Sequence, residues 1–222
     1  MNKSEPTIAS TIQQAWRITL DNYSILIASL GVLFAISLAF AIIQNIISNM
    51  QTNGAAGAAI AVLALAALIE AVLRLGVQNL TSIGFTQIQL NVLDKKPSNV
   101  GLLFQPQGLF WRYLGGSIVY GLIILGGLIL LIVPGIIWGL KYQFALPLIV
   151  DKKLTVKEAI HKSGQITMGK KGWLLGFVVV LGLINFAGLL ALGIGLLITI
   201  PLTSIAHMWI YRQLLQNNKT SK

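Results

Sequence analysis

The stretch Trp173–Leu192, WLLGFVVVLGLINFAGLLAL, decides how this chain folds. It carries no charge over a length that crosses a bilayer as a helix, which takes about 20 residues. Lys170 and Lys171 precede it, Gly193-Ile194-Gly195 follows it, and a second apolar stretch, Ile194–Leu215, runs on to Arg212. Two apolar helices with an uncharged turn at one end and cations at the other form a membrane hairpin with its basic end in the cytoplasm.

Working outward, the same pattern recurs twice. Tyr23–Ile47 and a span starting near Ala58 are joined by Ser48–Gly57, and Phe110–Val133 and Ile136–Val150 are joined by Pro134-Gly135. Neither connection holds a Lys, Arg, Asp or Glu. The opposite ends hold Lys3, Arg17, Lys95, Lys96, Arg112, Lys152, Lys153, Lys157, Lys162, Lys219 and Lys222. The sequence therefore predicts an all-α, polytopic integral membrane protein: six transmembrane helices as three hairpins, with amphipathic cytoplasmic surface helices and both termini cytoplasmic. It reads as one membrane domain over 1–222, with a cytoplasmic amphipathic segment (1–22), three hairpins (23–93, 97–150 and 154–215) and a cytoplasmic tail (216–222).

Composition agrees. The chain is 55% hydrophobic with a mean hydropathy of +0.80, and 10% of it is charged, against about 25% in a soluble domain. The net charge of +10 does not point to nucleic acid, because the cations flank apolar spans instead of striping a soluble fold. Anionic lipid headgroups of the cytoplasmic leaflet are the expected partners, at Lys157, Lys162, Lys170 and Lys171. The absence of Cys excludes thiolate chemistry and disulfides.

Details within the spans sharpen the expectations. Ile136–Val150 is short, and Pro147 should kink it, having no N–H for the carbonyl of Gln143. Past Gly76 the second span continues with helical periodicity but with polar residues, so either one long helix or a kink near Gly76 or Gly84 is open. Each hairpin follows an amphipathic segment opened by an N-cap residue: Thr7, Asn99 and Thr155, the last with Glu158 in a capping box. Ile8, Ile12, Ala15, Trp16 and Leu20 share one face of the first segment, and Val156, Ala159, Ile160 and Ser163 one face of the third. Tyr23, Trp111, Tyr113, Trp173 and Tyr211 mark headgroup levels. Small residues four apart (Gly31, Ala35 and Ala39; Ala67 and Ala71; Gly172 and Gly176; Ala187 and Ala191) are candidates for close helix contacts.

The second half resembles a known family. Leu131-Ile132-Val133-Pro134-Gly135-Ile136-Ile137, Tyr142 to Pro147, Val150-Asp151, Glu158-Ala159-Ile160, Ser163, Gly169-Lys170, Trp173, Pro201 and Tyr211-Arg212 carry the resemblance. The stretch from Leu102 to Leu214 is similar to the polytopic membrane domain associated with bacterial glycerophosphodiester phosphodiesterases, and to related stand-alone inner-membrane proteins of unknown function. The resemblance implies the bacterial plasma (inner) membrane. It implies no hydrolase activity, since the catalytic domain of such enzymes is a separate soluble unit.

Four ionisable side chains lie deep in or near the apolar spans, apart from the cations at their basic ends: Glu70, Arg74, Lys141 and His207. Such residues face protein or a water cavity. Glu70 can pair with Arg74 one turn away or with Lys141 across the bundle; in either case a transport site is the functional reading and a structural ion pair the plain one. His207 has no second ligand at metal spacing, so no metal and no cofactor is expected. No nucleophile–base pair or phosphate loop stands out, so the chain does not read as an enzyme. The expected role is that of a non-enzymatic membrane scaffold acting with a separately encoded membrane or enzyme partner. A small-solute, ion or lipid transporter with a polar site around Glu70 and Lys141 is the alternative.

Overall fold

A computed structural model describes residues 7–52, 58–191 and 193–220. Parts of the expected first turn, Ser48–Gly57, lie outside the described residues, as do Lys3 and Lys222. The described residues are helical, without strands: α1 (Ile8–Asp21), α2 (Tyr23–Thr52), α3 (Ala58–Leu93), a 3-10 turn (Val100–Phe104), α4 (Phe110–Leu130), α5 (Ile132–Tyr142), α6 (Ala145–Lys152), α7 (Val156–Ile166), α8 (Lys171–Leu190) and α9 (Leu196–Thr220).

Five segments are long and apolar enough to cross a membrane: Tyr23–Gln51, Ala59–Leu93, Phe110–Leu130, Ile132–Lys152 and Lys171–Leu190. The sixth expected span, now α9, is not among them. Pro201, Thr203, Ser204, His207 and the Tyr211-Arg212 end dilute its apolar character. Its position explains the tolerance: α9 packs against α1, α2, α3, α7 and α8, and it is largely buried from Pro201 onward, with Leu197, Ile198 and Ile200 exposed at its start.

The local signals resolve as follows. Thr7 accepts the N–H of Ser10 at 3.2 Å and Asn99 that of Leu102 at 3.2 Å. Thr155 and Glu158 close the capping box, the Glu158 carboxylate taking the Thr155 N–H at 2.9 Å. That hydrogen bond holds the Glu158 carboxyl below its ordinary range. Of the two readings of the second span, one long helix holds: α3 runs 36 residues unbroken, about 54 Å.

The turn expected at Pro134-Gly135 lies earlier. Leu131 is extended (φ −171°, ψ 153°), and α5 begins at Ile132 with Pro134 in its first turn. A proline costs nothing there, because first-turn N–H groups have no helical acceptor. The fourth span thereby gains length, and Ile132–Lys152 is 21 residues. Pro147 acts as expected: the helix breaks at Gln143-Phe144, between α5 and α6.

The buried core sits at the end of the bundle away from the Leu131 and Gly193 turns. Leu26, Ile83, Ile88, Leu148, Ile149, Leu174, Phe177, Ile205 and Tyr211 are fully buried there. Around the turns, Leu130, Leu131, Ile132 and Ile194 are exposed by two thirds or more. That surface is compatible with hydrocarbon, not water.

Packing adds a finding on α1 and corrects two expectations. On α1 the buried stripe is Thr11, Ala15 and Thr19, set on α9, while Trp16 and Leu20 point outward at 41% and 53% exposure. Small residues let α1 approach α9 closely, so its large apolar side chains are left for the surroundings. Tyr113 and Tyr211 are buried in protein and do not line a headgroup belt. The close glycine contacts are not at Gly31 or Gly172, where a side chain would meet nothing, but at Gly84 against Leu103, Gly127 against Gly135, and Gly188 against Gly195. Spacing along one helix does not say which face its neighbour occupies.

Candidate functional site

The polar chemistry gathers at two places, and the break before Pro147 builds the first. Interrupting a helix strands carbonyls that would have accepted from the next turn. The Leu140 carbonyl takes the Gln143 side-chain amide at 3.0 Å. The Lys141 carbonyl takes two hydroxyls from α7, Ser163 and Thr167, each at 3.0 Å. One turn earlier, the Tyr120 hydroxyl donates to Gly139 at 3.2 Å. The other end of the Gln143 amide meets His207 Nε2 at 3.1 Å, and the His207 ring stacks on Phe144 with centroids 4.9 Å apart. His207 is thus a hydrogen-bonded packing group, and no cluster of metal-ligating side chains occurs among the described residues.

The second place is a charged tie at the basic end. Arg212 donates through Nη1 to Asp151 at 2.8 Å and through Nη2 to Asp94 at 2.7 Å. Asp151 Oδ2 also takes the Tyr211 hydroxyl at 2.7 Å and the Lys152 ammonium at 3.0 Å. The Asp151 and Arg212 side chains are only 9% and 15% exposed and Asp94 is 31% exposed, so one guanidinium ties the ends of α3 and α6 to α9, with its Asp151 half the more buried. Sequence reasoning quoted Asp151 and Arg212 without giving them a role. Scarcity was the available signal: the chain has six acidic residues, and two of them end the apolar segments that face Arg212.

The expected pairing of Glu70 with Lys141 does not form, nor does Glu70 with Arg74. Lys141 sits at the end of α5, which packs on α4, α7 and α8. Its ammonium lies 4.9 Å over the Tyr142 ring, and its chain runs past Gly164 of α7. Glu70 is buried on α3, with Oε1 lacking any hydrogen-bond partner. One turn on, Arg74, Gln78 and Ser82 line a cavity of about 230 Å³ with Ser37 and Phe40 of α2.

Of the expected lipid contacts, Lys157 and Lys171 are exposed, Lys170 is half-buried, and Lys162 is committed inward, donating to Asn218 at 2.6 Å. The side-chain amide of Asn218 on α9 reaches α7 because the two helices pack, which no local spacing reveals.

Comparison with known proteins locates the chain among proteins without assigned activity. No family model matches it. No solved structure matches it either. It is similar to an uncharacterized protein of Mycobacterium bovis, 32% identical over 130 residues that make up 56% of this chain and 38% of that relative. Uncharacterized proteins from two strains of Mycobacterium tuberculosis match at the same identity and coverage. The chain thus spans under two fifths of the length of the curated relatives it matches.

Proposed function

We propose that the chain is a non-enzymatic, multi-pass scaffold of a bacterial plasma membrane, with both termini cytoplasmic and α9 as a sixth crossing shielded by its neighbours. One observation carries the scaffold reading: polar side chains within the bundle pair across helices. His207 meets Gln143, Asn185 meets Thr203 at 3.1 Å, and Ser117 donates to Asn79 at 3.2 Å. Such pairs fix helix register and leave little to line a pathway. The resemblance over the second half makes a separately encoded partner, such as a phosphodiester-cleaving enzyme, the reasonable one to seek. Orientation is checked with single cysteines, since the chain has none of its own. An impermeant thiol reagent on intact cells should label positions 53 and 194 and spare 95 and 157; the opposite pattern would invert the topology.

A second reading rests on Glu70, whose buried, unpartnered oxygen lies one turn from the Arg74 cavity. A small-solute or ion transporter would use such a group. Purified protein in liposomes should leak protons, potassium and small anions no faster than empty vesicles. Flux that the wild type supports and Glu70→Gln abolishes would put transport ahead of the scaffold.

A further inference from the structure

A cavity of about 730 Å³ opens where α7 lies against α4 and α5. Lys141 enters it from α5, and Lys157 and His161 from α7. No Asp or Glu lines it. The nearby Glu158 carboxylate is occupied by the capping box, bonding the Thr155 N–H at 2.9 Å and its hydroxyl at 2.7 Å. The rest of the wall is largely apolar, including Val119, Ile160 and Met168, and Met168 is 72% exposed. Two lysines and a histidine thus line the cavity beside an apolar surface that belongs partly to candidate membrane-crossing helices.

We propose that this cavity binds one anionic phospholipid, its phosphate between Lys141, Lys157 and His161 and its acyl chains over Val119 and Met168. The inference rests on the membrane reading above. Three features select this occupant. Uncompensated cations favour an anion, and a phosphate offers each of them an acceptor oxygen. The apolar wall favours a ligand with hydrocarbon attached to that anion. Lys141 also belongs to a candidate span while Lys157 lies on α7, outside the candidate spans, so the cavity joins a membrane-crossing segment to a helix beside it. The site differs from general attraction of a basic surface to a membrane, because it predicts saturation at one lipid and dependence on two particular lysines.

The experiment is native mass spectrometry of the full chain in neutral detergent, with phosphatidylglycerol, phosphatidylcholine or inorganic phosphate added. Wild type should retain a single phosphatidylglycerol at least tenfold more tightly than phosphatidylcholine. Lys141→Gln with Lys157→Gln should remove that preference, Lys141→Arg should keep it, and Lys96→Gln, which also removes one charge, should leave it intact. Thermal melts of each variant in the same detergent establish that the fold survives. Equal retention of the two lipids, or a preference that outlives the double substitution in folded protein, overturns the proposal. Tight binding of inorganic phosphate that displaces the lipid overturns it as well, since the site would then serve a soluble anion. Inverted cysteine labelling would instead overturn the orientation and leave the cavity measurement standing.

Discussion

Asp151→Ala lowers the stability of the detergent-solubilised protein by about 3–5 kcal/mol, the range for removing one partner of a buried ion pair. The carboxylate takes bonds from Tyr211, Arg212 and Lys152, and its side chain is 9% exposed. Removing it strands the hydroxyl of a fully buried tyrosine and half of a guanidinium's bonds. Arg212 could not make up the loss with water, because Arg212 Nε is already buried without a partner. Asp94→Ala should cost about 1 kcal/mol or less, since that carboxylate is 31% exposed and solvent screens it. Thermal unfolding of the two variants side by side is the check. Equal, small losses would show that the tie is ornamental and that α3, α6 and α9 are held by apolar packing alone. An Asp151→Leu, Arg212→Leu double variant should recover much of the loss, because an apolar pair leaves no buried charge unsatisfied.

Gly127→Val should be the most disruptive single change near the Leu131 turn. A side-chain carbon at Gly127 would stand 2.6 Å from the Cα and 2.9 Å from the amide nitrogen of Gly135. Backbone cannot rotate away as a side chain can, so the cost should reach or exceed the about 1–3 kcal/mol of ordinary overpacking. α4 and α5 would be pushed apart at the Leu131 turn, where little else is buried. Gly126→Ala is the control: a side chain there meets nothing within 4 Å, and alanine favours helix by about 1 kcal/mol over glycine. Melting temperatures should fall sharply for the first and hold or rise for the second. A Gly127 variant as stable as the wild type would mean that the two helices do not approach as closely as described.

Much was legible in the residues alone, because it is decided within a few positions of chain. Thr7, Asn99 and Thr155 cap their segments because a short oxygen side chain at that place reaches the next free N–H groups. Pro147 breaks its helix because it has no N–H and its ring crowds the preceding turn. The apolar runs announce membrane-length segments because length and composition are properties of the string, and five of the six expected spans qualify. What failed depended on faces meeting across space. Small residues four apart on α2 met nothing at Gly31, whereas Gly127 and Gly135, on different helices, proved to be the contact. Glu70 and Lys141 suggested a pair by charge, yet α5 turns Lys141 toward α7 and leaves the Glu70 oxygen alone.

The sequence by itself thus determined the helical class, the apolar spans, the capped segment starts and the break before Pro147. Each follows from hydrogen-bonding geometry or hydrocarbon length that nearby residues satisfy or fail to satisfy. Only the tertiary structure decided that α9 past Pro201 is packed by its neighbours, that Arg212 joins Asp94 to Asp151 over 118 and 61 residues of chain, and that α7 closes a basic cavity on α5. Those arrangements are chosen by the joint packing of many helix faces, and no local stretch carries that information.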